Sequence, residues 1–197
     1  MGFSKLWADV CGQPLIAHAI TAARAASPAE LIVVVTGDRV AETTGLAPEA
    51  HVIQGGARRR DSVAAGLAGS TAPWLAIHDA ARALAPPELF ARGLEAAQST
   101  GAAVPGVPLK DTIKRVANSR VIATPNRQEH VAIQTPQIFR RDLLERALSS
   151  TEEDVTDEAA LVEQLGVTVA VFDGDERAFK LTTPFDFALA RTLLSTD

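Results

Sequence analysis

Apolar positions along the chain follow two spacings, one of helices and one of buried strands. Leu15, Ile16, Ala19, Ile20 and Ala23 recur at helical intervals behind Pro14. Proline suits a first helical position, where its missing N–H would have no partner anyway. Leu31-Ile32-Val33-Val34-Val35 is a β-branched run ended by Thr36-Gly37-Asp38, the pattern of a parallel-sheet strand covered on both faces. The same reading predicts a short helix near Val40, a strand over His51-Val52-Ile53, a helix over 61–68 and a buried strand over 74–78. Pro86-Pro87 opens a helix to about Gln98, and 102–109 is strand-like, with Pro105 and Pro108 marking bends or a sheet edge.

The texture then changes. Residues 111–116 and 120–124 flank Ala117-Asn118-Ser119, a hairpin pattern with a polar tip. A two-stranded ribbon is marginal alone, so this one needs a partner surface, in its own domain or in a second subunit. Beyond it come a strand-like stretch over 131–134, helices over 142–148 and 157–164, a strand over 167–172 and a last helix opened by Pro184. No repeat, linker or low-complexity tract interrupts the series. The pattern predicts one doubly wound α/β domain over residues 1–197, with a mainly parallel sheet and an inserted ribbon arm at about 111–127.

Composition narrows the function classes. No apolar run approaches the length of a membrane span, and the first ten residues lack a secretion signal's apolar stretch. No membrane association and a cytoplasmic location are therefore expected. Cys11 is the lone cysteine, which removes an internal disulfide and argues against a cysteine metal cage. The formal charge of −5 argues against general nucleic-acid binding. Compact basic spots at 58–60 and 114–115 suit a small anionic ligand, or are solvated surface charges. The first complete unit starts with a helix, without the strand and glycine-rich turn that bring backbone N–H groups to phosphates. Neither GxGxxG nor a Walker loop occurs, which argues against a dinucleotide dehydrogenase or a P-loop kinase.

Polar residues gather at four strand ends, where open α/β sheets place ligands. Gly55-Gly56 permits close backbone approach, and the helix start at Arg60-Asp61-Ser62 attracts anions; a plain turn explains the same residues. In His78-Asp79-Ala80-Ala81-Arg82, Asp79 can hold Mg²⁺ or a ligand hydroxyl and Arg82 can grip a phosphate. Alternatively, an Asp79–Arg82 ion pair closes the turn. Lys110, Asp111, Thr112 and Lys114 stand at the base of the ribbon and Arg127 at its return; ribbon solubility is the competing account. Thr156 reads first as an N-cap. Lys180 lies in an apolar strand-like stretch, where an unpaired charge is costly, so a ligand or carboxylate partner is expected. His18, His51 and His130 have no ligand spacing, and Cys11 has no evident base.

Six segments occur in order: GGxxRxDSV at 55–63, HDAAR at 78–82, KDTIKR at 110–115, QTPQIF at 134–139, TDE at 156–158 and FKLTTPFD at 179–186. From Lys5 to the C-terminus the chain resembles the 2-C-methyl-D-erythritol 4-phosphate cytidylyltransferase family of the non-mevalonate isoprenoid pathway; pentitol-phosphate cytidylyltransferases share much of the pattern. The resemblance implies a Rossmann-like nucleotidyltransferase fold and transfer of a cytidylyl group from CTP to the polyol phosphate, with release of pyrophosphate. It implies that Lys5 and Lys180 act on the phosphates, that Gly56, Ser62, Asp79 and Ala80 face the nucleotide, and that Asp79 binds Mg²⁺. Arg82, Thr112, Arg127 and Thr156 are implied on the acceptor side, with Arg127 reaching in from the second subunit of a homodimer joined through the arm. Ribitol 5-phosphate is the alternative acceptor.

Two departures accompany the likeness. The position after Gly56 is usually acidic in the family and is Ala57 here, followed by Arg58. The family's first strand and glycine-rich loop have no counterpart, and Met1-Gly2 resembles the tail of that loop. The sequence therefore predicts two exposed strand edges and little activity for these 197 residues, with a catalytically inactive dimer as the other reading.

Overall fold

The computed structural model describes residues 3–153 and 155–195; Met1-Gly2, read above as a loop tail, lies outside them. A 3₁₀ turn over Phe3–Trp7 leads into a small antiparallel ladder, β1 (Asp9–Val10) on β2 (Gln13–Pro14). Cys11 (φ 52°) and Gly12 (φ 84°) form its turn; both residues take the left-handed region, as a tight two-residue hairpin demands. Pro14 thus ends β2 and N-caps α1 (Leu15–Ala25) instead of occupying its first position. There follow β3 (Ile32–Val35), α2 (Val40–Leu46), β4 (His51–Gln54), α3 (Arg59–Ala68), β5 (Trp74–Ile77) and α4 (Glu88–Ala97). The second half contains β6 (Ala102–Pro108), β7 (Arg115–Ala117), β8 (Arg120–Ala123), β9 (Val131–Ile133), β10 (Gln137–Arg140), α5 (Arg141–Ser150), α6 (Glu158–Gln164), β11 (Ala170–Asp173) and α7 (Pro184–Leu194).

Backbone pairing divides these strands. β3 and β4 form a parallel pair, and β11-β6-β10-β5 form a second sheet in which β9 also pairs with β6. β11 runs parallel to β6, whereas β10 runs antiparallel to both β6 and β5. β5, β6 and β11 therefore share one direction, with β10 reversed among them. β10 was not anticipated: a four-residue strand holding Gln137 and Arg140 beside Pro136 has no run of apolar or alternating residues to betray it.

Pro105 does not mark an edge, whereas Pro108 ends β6 beyond its last β11 rung at Gly106, with β9 alone beside it. Up to that rung β6 is flanked on both sides, by β11 and by β9 with β10. Pro105 lies where its neighbour changes from β10, paired at Ala102 and Ala103, to β9, paired from Gly106 onward. The donor that proline lacks falls in that interruption, so no rung is lost.

The core fills the space beneath the sheet. Phe139, Leu143, Leu144, Leu161 and Val162 are buried together where β10, α5 and α6 meet. Full burial of one such side chain stabilises the fold by roughly 1.5–3 kcal/mol. A second cluster joins Val10, Leu15, Ala83, Leu181 and Ala190, and a third joins Ile16, Ile20 and Val35. Leu6 and Ala80 pack against both of these. This contact sets the N-terminal turn beside the loop that follows β5.

The ribbon, β7 on β8, turns through Asn118 (φ 48°) and Ser119 (φ 57°) alone, since Ala117 pairs with Arg120. Val116, Val121 and Ile122 are exposed on it.

Candidate active site

The loop after β5 carries the best-connected part of the site. Asp79 sits with one carboxylate oxygen, Oδ1, accepting from the Ala81 N–H at 3.0 Å and the other, Oδ2, 2.6 Å from the Lys180 ammonium. Burial pushes the Asp79 carboxyl up, but the Lys180 hydrogen bond, the Ala81 N–H and the Lys180 and Arg82 charges outweigh it, leaving the pKa below the usual carboxylate range. The carboxylate partner expected for Lys180 is therefore present. Two other expectations are corrected. Lys180 is not in a strand but is exposed in an irregular stretch after the 3₁₀ turn Glu176–Ala178, between the buried Ala178 and Leu181, because its main chain bonds to the 79–82 loop, Leu181 to Ala81, and not to a neighbouring strand. Asp79 pairs with Lys180 and, among the described residues, makes no ion pair with Arg82; the main chain closes the turn, the Arg82 N–H donating to the Asp79 carbonyl at 2.8 Å.

Arg82 spans two elements. Its Nη1 donates to the Ala178 carbonyl at 2.7 Å and its Nη2 to the Ile133 carbonyl at 3.2 Å. Its Nε–H is buried without a hydrogen-bond partner among the described residues. Burial lowers the guanidinium's pKa, with Asp79 opposing. The Leu181 N–H donates to the Ala81 carbonyl at 2.8 Å. The 79–82 loop and the 178–181 segment are thus stitched by backbone, ion pair and guanidinium together.

Lys5 lies in the opening turn, half-buried. Its neighbour Leu6 and Ala80 both pack on the cluster that contains Leu181, so Lys5, Ala80 and Lys180 belong to one end of the molecule. The base of the arm reaches the same segment. Arg127 donates to the Lys110 carbonyl of its own chain, and Lys110 pairs with Glu176. Thr112 is exposed two residues beyond Lys110.

A second group forms across α3 and α6. Gly55 and Gly56 have no room for a side chain: a Cβ on Gly55 would lie 2.5 Å from the Ser62 hydroxyl, and one on Gly56 2.3 Å from Asp61 Cβ. Ser62 Oγ donates to the Arg58 carbonyl at 3.4 Å. Asp61 accepts from the Arg58 N–H at 3.1 Å, and its pKa is lowered by the Arg58 guanidinium and N–H. Arg59 pairs with the buried Glu158, the first residue of α6. Thr156 is exposed and is not the cap of that helix. Asp157 is, accepting from the Ala160 N–H at 3.1 Å, because it stands one residue nearer the helix.

Among the described residues no hydrogen bond or ion pair joins Gly56, Ser62 or Thr156 to Asp79, Arg82 or Lys180, and β10 links the two groups. Gln137 is paired with Ile77 of β5 and donates from Nε2 to Asp157 Oδ2 at 2.9 Å. Four buried polar residues of the QTPQIF and TDE segments, Gln134, Thr135, Gln137 and Glu158, and the half-buried His78 of HDAAR had no role assigned from the sequence. Their signal was available, since amides and a carboxylate inside apolar stretches need partners when buried. Burial lowers the His78 pKa to about 4, against the raising effects of its hydrogen bonds and Asp79.

A Rossmann-like α/β sheet with lysine, arginine and one carboxylate at its strand ends, and a glycine turn at a helix start nearby, is the framework of a nucleotidyltransferase. The family model for IspD, 2-C-methyl-D-erythritol 4-phosphate cytidylyltransferase, matches residues 1–196. The enzyme of that name from Rhodococcus jostii is 40% identical over 195 residues, covering 96% of this chain and 86% of its own. That from Nocardia farcinica is 43% identical over 197 residues, covering 96% and 85%. The crystal structure of the Thermus thermophilus cytidylyltransferase aligns with a TM-score of 0.84 at 34% identity, covering 97% of this chain and 93% of that one. The 4-diphosphocytidyl-2C-methyl-D-erythritol synthase of Anaerococcus prevotii aligns with a TM-score of 0.90 at 26% identity, covering 98% and 94%. The chain belongs to the 2-C-methyl-D-erythritol 4-phosphate cytidylyltransferase family and is a cytidylyltransferase.

Proposed function

We propose that a phosphate oxygen of 2-C-methyl-D-erythritol 4-phosphate attacks the α-phosphorus of CTP at this site, forming the new P–O bond as pyrophosphate leaves. Two anions must meet, and charge grows on the phosphoryl oxygens, so positioning and cationic stabilisation matter more than a base. Lys5 and Lys180 supply that charge. Gly56, Ser62, Asp79 and Ala80 take the nucleotide, Arg82, Thr112 and Thr156 the acceptor, with Arg127 contributed across a homodimer. The acceptor phosphate is already ionised at neutral pH, so no catalytic histidine is required. His78, held neutral, fits that account.

The observation that carries the reading is the Asp79–Lys180–Arg82 constellation, in which the Lys180 ammonium is half-exposed beside the Asp79 carboxylate. Mg²⁺ fits as part of a nucleotide complex. Magnesium bound with phosphates needs only one or two protein carboxylates; Asp79 offers one, and no group of three or more His, Cys, Asp and Glu able to hold a metal occurs among the described residues. Asp79 would hold the ion, which supplies positive charge to the phosphate oxygens. The homodimer reading is supported by the exposed apolar side chains of β7 and β8.

The test is pyrophosphate release from CTP by the full-length protein, with 2-C-methyl-D-erythritol 4-phosphate and with ribitol 5-phosphate as separate acceptors. Turnover is expected with the first, and Lys180→Ala should lower kcat by about 10²–10³-fold. Faster turnover of ribitol 5-phosphate, or none with either acceptor, would refute the assignment.

A further inference from the structure

The segment Gln134-Thr135-Pro136 departs from the regular ladder in a way that reaches both halves of the constellation. β9 and β10 run antiparallel to β6 along one side of it. Between the rungs Ile133↔Gly106 and Ile138↔Ala103, five steps on this side face three on β6. The surplus is a bulge, a device that re-aims side chains and is frequent beside active sites. The Gln134 N–H donates to the Pro105 carbonyl at 2.8 Å, tying the bulge to the point where β6 changes neighbour.

Both bulged side chains are buried, Gln134 at 5% and Thr135 at 6% exposure. Gln134 clamps one residue by its main chain: Nε2 donates to the Asp175 carbonyl at 2.8 Å and Oε1 accepts from the Asp175 N–H at 3.0 Å. Gly174 makes room, since a Cβ there would stand 2.6 Å from Gln134 Oε1. Thr135 clamps the opposite side. Its Oγ1 accepts from the Asp79 N–H at 3.0 Å and lies 3.0 Å from His78 Nδ1. The Arg82 carbonyl facing Nε2 can only accept, so the neutral ring carries its proton on Nε2 and its bare Nδ1 accepts from the Thr135 hydroxyl. Nε2 donates to the Arg82 carbonyl at 3.3 Å. The hydrogen bonds enclose the turn from Asp79 to Arg82.

We infer that Gln134 and Thr135 are positioning residues for cytidylyl transfer: Gln134 fixes the segment that delivers Lys180, and Thr135, with His78, fixes the loop that delivers Asp79 and Arg82. The bulge is the common anchor that sets the ammonium, carboxylate and guanidinium relative to one another. Neither residue touches the reacting atoms. This inference rests on the proposed reaction for its kinetic arm only.

Two readouts test it. The first is kinetic, on variants whose thermal unfolding shows them folded. Thr135→Val and Gln134→Met remove the clamps at nearly constant shape. Each should lower kcat/KM for the acceptor by about tenfold or more, while Thr135→Ser stays within about twofold of wild type. Combining Thr135→Val with Lys180→Ala should cost little beyond Lys180→Ala alone, because both act through one ion pair. The second needs no turnover: the ¹⁵N resonance of the Lys180 ammonium, assigned by its loss in Lys180→Ala, should shift in Thr135→Val towards its position in Asp79→Asn. An unmoved resonance, losses that multiply, or equal damage from Ser and Val would overturn the inference. A wild-type protein without turnover would refute the reaction and leave the resonance to decide the role of the bulge.

Discussion

At the scale of single residues, one hydrogen on a backbone carbon decides whether α3 can start where it does. Gly56 faces Asp61 so closely that an added methyl would overlap the Cβ of that residue, at 2.3 Å. Asp61 is held in turn by the Arg58 N–H and guanidinium, so it cannot swing aside cheaply. Gly56→Ala is therefore expected to displace the first turn of α3, destabilising the protein by about 1–3 kcal/mol and raising the KM for CTP about tenfold. Urea unfolding and initial rates at saturating acceptor would check both. The glycine was legible in the sequence as a close-approach position, and the lysine as a charge needing a partner. Which carboxylate answered Lys180 was not, because Asp79 and Arg82 are three residues apart whereas Asp79 and Lys180 meet only through the fold.

Elements show where local signals suffice. The α7 start is written entirely in Thr182-Thr183-Pro184-Phe185-Asp186. Asp186 Oδ2 accepts from the N–H groups of Thr182 and Thr183 at 2.8 and 2.7 Å, and Thr183 Oγ1 accepts from the Asp186 N–H at 3.3 Å. Thr183→Ala should cost about 1 kcal/mol of stability, measured by denaturant unfolding. Those N–H donors lower the Asp186 pKa from 3.8 to about 2. The unfolded chain thus takes up this proton at higher pH than the folded one. The contribution of Asp186 is complete above about pH 4 and disappears as pH falls towards 2. Unfolding midpoints of wild type and Asp186→Asn should therefore converge over that interval. Helices with caps and apolar stripes were readable for the same reason: their information is local. β10 and the two-sided setting of β6 were not, since their neighbouring strands come from tens of positions away along the chain and leave no mark on the sequence of either.

For the whole molecule, the ribbon and the sheet make different demands. Val116 and Val121 are each 60% exposed and Ile122 51%, on a two-stranded element too small to be stable alone. Under the proposed homodimer these side chains are covered by a second copy. Val121→Asp should then shift the sedimentation coefficient to that of a monomer, with the far-ultraviolet circular dichroism unchanged. Retention of the wild-type coefficient would remove the arm from the interface.

The division of the sheet has its own bearing on motion. No ladder joins β3 and β4 to the larger sheet among the described residues; their link to it runs through side chains of α3, where Gly66 lies against Val34 while Val63 and Leu67 pack with Phe139. Side-chain contacts yield one by one, whereas a ladder opens as a unit. Amide protons of Val33 and Val34 should consequently exchange with deuterated water well before those of Ala103 and Val104, so that the first α/β unit breathes on a clock separate from that of the site's other half.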